Sequence, residues 1–466
     1  MCNLHLPEKG SLAALFSIVF ICWTLETGAE ASRISDKNLD IQIGQAIFEK
    51  LWVFAPSSTR SSDGLGPLYN ARSCAQCHTP SQSVSDQVPV SLVMMLSIQA
   101  NHDAPLSAQD RQDLLQNGFI SEPVYGKQIQ TFAYPGAPAE ARIKRTDRIT
   151  TLYFPDQQQV QIHYPEYQLV SAAYGPFHKD IRISPRIAPR LQGLGILESV
   201  PEEQITALED PDDLNGDGIS GRANRVYDPL SEAQRIGRFG WKAAKASLEH
   251  QNLAALVNDI GVSSWLFQVP AGDCSSAQTE CLSLADSTLT TLHRGGTDHD
   301  KLKADLVEAS REMTDLLYAY TREIGNASLY RPQRPSARQL KGKQFFTKSG
   351  CLDCHSDKLS NSSQLNEGQN IISPYSDLLL HDMGEGLADN RTEFQANGRE
   401  WRTAPLWGIA YYLRHTEKPL FLHDGRAASI EEAIFWHGGE AESSKQRFMA
   451  MPEAQRTQLI HFVESL

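Results

Sequence analysis

Two stretches of this 466-residue sequence place cysteine, cysteine and histidine in the same order and spacing: Cys74-Ala75-Gln76-Cys77-His78 and Cys351-Leu352-Asp353-Cys354-His355. Thiols three positions apart can add across the vinyl groups on one porphyrin edge. The histidine that follows is then held beneath the ring, where it can ligate iron. One such pattern alone could be a redox pair or half of a zinc site. Two copies, each running directly into histidine, point to two covalently bound haem c groups with His78 and His355 as the proximal iron ligands.

The sixth position on each iron decides what such a chain can do. Histidine or methionine there makes an electron-transfer haem, and an open position admits peroxide. For the second haem, the ligand-capable residues are His381, Met383, His415, His423, His437, Met449 and Met451. The run His381-Asp382-Met383-Gly384 stands out, with two ligand types in one Gly-flanked loop, and Met383 is slightly preferred to His381. The alternative is that His381 only hydrogen-bonds and Met383 only packs on the ring. For the first haem, Met94, Met95, His102, His163 and His178 compete with an open site. Two further clusters could do chemistry. Asp213, Asn215 and Asp217 alternate as in the opening of an EF-hand calcium loop, but the twelfth position is Asn224 rather than glutamate, so an Asx-rich turn competes with calcium. Cys274 and Cys281 flank a short polar loop, and a disulfide closing it is the simplest reading in an oxidising compartment.

These residues need elements to position them. The chain is long enough for at least two domains. Lys9, an apolar stretch from Leu12 to Trp23 and the small-residue site Ala29-Glu30-Ala31 read as an export signal, residues 1–31, cleaved before Ser32. Cys2 and Cys22 would leave with it. A periplasmic location follows, and no later apolar run is long enough to span a bilayer. The formal charge of -13 argues against nucleic acid or anionic lipid as a partner and suits a basic redox protein. A faint repeat precedes the two haem motifs: Gly44 with Phe48, and Gly342 with Phe346, each pair on one helical face. Arg331 to Ser336 reads as a linker, so the expected units are an N-terminal haem domain over 32–330 with long insertions and a C-terminal cytochrome c-like haem domain over 337–466. Ser247–Ile260, Leu302–Glu323 and a closing segment Pro452–Leu466 carry helical spacing, whereas Val88–Ile98 fits a buried strand or a helical turn. The expected fold is mostly α, with two cytochrome c-like haem domains, irregular loops and little sheet.

Three runs extend the haem motifs: Gly64 to Ser73, Arg238 to Ala243, and Arg402 to Gly408 continuing through His423-Asp424-Gly425-Arg426 to Glu432-Ala433-Ile434 and His437-Gly438-Gly439-Glu440. On these the chain resembles the di-haem oxidoreductase family, relatives of bacterial di-haem cytochrome c peroxidases. The resemblance implies an enzyme that takes electrons from a small donor protein, a cytochrome or cupredoxin, and reduces peroxide or a related substrate at the N-terminal haem. In the better-known relatives a methionine can precede the His-Asp-Gly tripeptide and ligate the C-terminal haem. Here that position is Leu422, which cannot bind iron, and this shifts weight to Met383 and His381. It leaves His423 as a hydrogen-bonding group beside the site. No position matches the distal glutamate of those peroxidases. The competing reading is a non-catalytic di-haem electron carrier, and a weaker one is a haem-based sensor or metal-trafficking accessory.

Overall fold

The computed structural model describes residues 37–59, 61–79, 84–85, 88–99, 105–269, 271–285, 307–326, 335–360 and 371–466. The export signal, His102, residues 302–306 and residues 331–334 of the linker lie outside the described residues.

The two Gly–aromatic pairs each sit on a helix that leads toward a haem motif, and each glycine is a helix crossing. A helix over 37–49 packs on Arg311–Glu323, and a β-carbon on Gly44 would stand 2.1 Å from Leu316 O and 2.7 Å from Tyr320 Cβ. The helix Ala337–Lys348 packs on Glu453–Glu464 in the same way, with Gly342 facing Gln458 O at 2.2 Å and Phe462 Cβ at 2.6 Å. The aromatic four residues on then reaches the motif's histidine. Ring centroids lie 6.2 Å apart for Phe48–His78 and 6.3 Å for Phe346–His355. Only a hydrogen at the crossing lets the backbones approach this closely. Ser336 starts its helix with a capping box to Gln339, and Leu459, Phe462 and Val463 of the closing helix are buried.

The expectation of a mostly α, cytochrome c-like fold is overturned. Helix accounts for 34% and strand for 20%, with several small two-stranded antiparallel sheets. The longest strands lie in the segment between the motifs. Leu92–Ile98 pairs with Ile181–Ile187, a partner far away in sequence. Arg142–Tyr153 and Gln159–Val170 form a twelve-pair hairpin. Its first strand, Arg-Ile-Lys-Arg-Thr-Asp-Arg-Ile-Thr-Thr-Leu-Tyr, carries so few apolar residues that period-two alternation is faint, although its two faces do alternate in exposure. The hairpin spans two cores. Near its base Ile143, Tyr167 and Leu169 pack against Leu92, Met94 and Leu96. At its tip Phe154, Val160 and Ile162 join Phe345, Phe346, Phe435, Phe448 and Phe462 in the C-terminal core.

Candidate functional site

Each cysteine pair is placed by one turn of helix. Ser73 caps Cys74–Cys77 by accepting from Gln76 N, and this turn sets both thiols on the same side. The second pair starts in the 3-10 turn Cys351–Asp353, entered through Gly350 at φ 81°, where a side chain would also strike Arg447. All four thiols are free, and burial raises their pKa values, to about 12 for Cys74 and Cys77 and about 11 for Cys351. Each following histidine gives its Nδ1 to a backbone carbonyl: His78 to Pro189 O at 3.1 Å, and His355 to Tyr375 O at 2.8 Å. A carbonyl can only accept, so Nδ1 carries the proton and Nε2 keeps its lone pair. Burial lowers both imidazoles to about 4, so they are neutral at ordinary pH.

Both motifs open onto a single cavity of about 510 Å³, lined by Cys74, Cys77 and His78 in one part and Cys351, Cys354 and His355 in another. The region between is walled by Arg186–Leu194, Trp401–Trp407 and Leu420–His423. Two unpaired thiols and one neutral imidazole at each end are the donor set that a covalently attached haem requires.

The ligand-capable residues separate cleanly against this wall. His381 is buried with Nδ1 2.7 Å from Glu440 Oε2 and Nε2 2.9 Å from Asp377 Oδ2. Burial disfavours its charge, but Asp377, Cys354 and Glu440 outweigh burial and hold its pKa well above the usual imidazole range. With both nitrogens donating to carboxylates it has no lone pair for iron. Met383, His423 and His437 line the cavity, whereas His415, Met449 and Met451 do not. His423 lies flat on Trp401, ring centroids 3.8 Å apart and planes 11° apart. At the first motif Met95 lines the cavity. Met94 points the other way into the core, His163 is bound to Glu432, and His178 stands off the cavity.

A family model whose description reads "Di-haem oxidoreductase, putative peroxidase" matches residues 141–466, the larger part of the chain. The chain belongs to the di-haem oxidoreductase family. Haem is therefore its implied cofactor. The match includes the second motif and the later two runs, and the first motif precedes it. Nothing matches among curated proteins or among solved structures. Among the described residues no helix is long and apolar enough to cross a membrane.

The di-haem oxidoreductase runs turn out to build the cavity wall. Trp241 donates Nε1 to Ile187 O, and Arg238 donates to the carbonyls of Leu197, Glu198 and Val200. Lys242 is wholly buried, its Nζ donating to Asp389, Arg391 O and Asn397 O. Four cations line the cavity with no ion pair among the described residues: Arg190, Arg238, Lys245 and Arg402. Burial lowers all four, Lys245 to about 8 and Arg402 to about 10. Desolvated cations of this kind call for anionic partners. Arg238 and Arg402 lie in the runs noted from sequence, whereas Arg190 and Lys245 carry no sequence signal.

Asp259 also escaped the sequence reading. It lines the cavity from the π-turn Leu256–Ile260, which continues the helix Leu248–Ala255. Single π-turns inside helices frequently mark functional sites. The Gly64–Ser73 run pins this turn: Gly66 N donates to Ile260 O, and Asn70 N and Ala71 N donate to Asp259 O. Gln128 Nε2 donates to Asp259 Oδ1 at 2.9 Å, which leaves Oδ2 for a proton. Burial raises this carboxyl to about 6, with Gln128 opposing.

Asp213, Asn215 and Asp217 spend their side-chain oxygens on Gly218 N, Asp217 N and Ile219 N of their own exposed loop. Asn224 is buried and donates to Lys242 O and Glu393 O instead of facing the loop. Cys274 and Cys281 are joined as a disulfide.

Proposed function

We propose that the protein is an exported, periplasmic di-haem c-type oxidoreductase. In this reading electrons arrive from a small cytochrome or cupredoxin, and peroxide is reduced at the N-terminal site. The single observation that carries the reading is one cavity joining two sets of paired thiols and a neutral, Nδ1-anchored histidine. Haem at both sites would supply the iron and the stored electrons for the two-electron, two-proton reduction of peroxide to water. Cys74, Cys77 and His78 would hold one group, Cys351, Cys354 and His355 the other, and the four unpaired cations would neutralise propionates. Asp259 Oδ2 would take a proton from the incoming peroxide and return it to the departing oxygen, as general base and then general acid. Gln128 fixes the carboxyl for that task.

One observation favours a second reading: Met95 lines the cavity near the first motif, and its sulfur on that iron would close the site and leave an electron carrier. A single experiment separates the two. Half-reduced protein is mixed with peroxide while the haem absorption is followed. The enzyme reading expects a high-spin component before mixing and rapid reoxidation after it. Two low-spin haems that ignore peroxide would contradict it and select the carrier.

A further inference from the structure

We propose that Nε2 of His437 is the sixth ligand of the iron held by His355. This rests on the two-haem reading above. Among the described residues five histidines line the cavity, and three share one preparation. His78, His355 and His437 each give Nδ1 to a backbone carbonyl, and for His437 the acceptor is Ala433 O at 2.8 Å. This contact fixes the tautomer and aims a lone pair from Nε2, which is how metal-binding histidines are oriented. Two of the three follow the cysteine pairs, and His437 is the third.

Its position fits the role. Ile430, Ala433 and Ile434 of the helix Ile430–Trp436 line the cavity together with His437, at offsets of zero, three, four and seven that define one helical face. His355 is presented from a different wall, behind Ala337–Lys348. The helix Glu453–Glu464 packs on both of these helices and adds Leu459 and Val463 to the cavity between them. Of the competitors, His381 has both nitrogens committed to carboxylates. Two nitrogen ligands would set the second haem at a lower potential than a histidine–methionine pair.

The test is spectroscopic, on the full-length haem-loaded protein with haem content measured in every sample. Near-infrared magnetic circular dichroism of the parent should show a nitrogen–nitrogen low-spin haem. His437→Ala should convert one haem to high spin with both haems retained, and added imidazole should restore the low-spin form. Met383→Ala and His423→Ala should leave the spectrum unchanged. Should His437→Ala fail to accumulate, His437→Met keeps the bulk of the side chain and should introduce a sulfur-to-iron charge-transfer band and a raised potential. An unchanged low-spin spectrum in the His437 variants, or its loss in Met383→Ala or His423→Ala, overturns the assignment. A parent with fewer than two haems overturns the two-haem reading itself, a distinct result.

Discussion

Asp259 shows how a single side chain can be tuned against stability. Burial pushes its carboxyl from the ordinary value near 3.9 to about 6 in the folded chain. A raised carboxyl pKa means that the folded state binds the proton more tightly. The associated stability is full below the unfolded value and is lost as pH rises through about 6. At neutral pH the ionised group therefore costs about 3 kcal/mol relative to its protonated form. In the proposed peroxide reduction the carboxylate is the base, so the rate should climb with pH through about 6. Asp259→Asn should remove that limb, lower the rate by about 10²- to 10⁴-fold and leave the fold at least as stable at pH 8. A pH–rate profile beside a denaturant titration checks both halves. Parallel loss of activity and stability would make the residue structural. His381 is tuned the opposite way, since its two carboxylates keep the imidazole charged.

At the scale of elements, the two helix crossings carry the haem motifs. Gly342→Ala would drive a methyl group into Gln458 O, and relief requires the helices to separate. Overpacking of this kind costs about 1–3 kcal/mol. The same substitution should shift the second haem's spectrum by moving Phe346 off His355, while Gly44→Ala should disturb only the first. Denaturant midpoints and absorption spectra of the two variants check this, and identical spectral changes in both would refute it. These crossings were legible in the sequence because Gly44–Phe48 and Gly342–Phe346 repeat a spacing that helix geometry makes meaningful. The closing helix was legible for the same reason. The strands were not. Leu92–Ile98 is nearly all apolar, a pattern that a buried strand and a buried helical turn share, and its partner lies some ninety residues on. The first hairpin strand is dominated by charged and polar residues, and what its end packs against is decided only by the fold. Asp259 was hidden for a related reason: nothing in Leu-Val-Asn-Asp-Ile separates a π-turn from an ordinary helix end.

Over the whole molecule, the hairpin from the middle of the chain ties into the C-terminal core. Its tip packs Phe154 against Phe435 and Phe448, Arg456 reaches Asp156, and Glu432 takes both the backbone and the ring of His163. Phe154→Ala should cost about 3–5 kcal/mol through cavity formation. It should loosen the second haem's surroundings although residue 154 lies nearly two hundred residues before Cys351. Thermal unfolding followed at the haem band checks it, and a change under about 1 kcal/mol would show that the tip is peripheral. Sequence alone pointed to a break near Arg331–Ser336, because composition marks a linker and cannot report that an earlier hairpin crosses over to the later core. The cavity was equally illegible: its wall is assembled from segments around 190, 240, 259, 402 and 437, and only folding brings them together. The two Cys-x-x-Cys-His motifs stand out in the sequence by themselves, because thioether attachment of haem would fix their spacing regardless of fold. That chemistry is the centre of the account, and intact-mass analysis tests it most directly. Protein matured in a host with haem-ligation machinery should exceed its polypeptide mass by two haem groups, falling to one when Cys74 and Cys77 are both replaced by alanine. A mass equal to the bare polypeptide would contradict it.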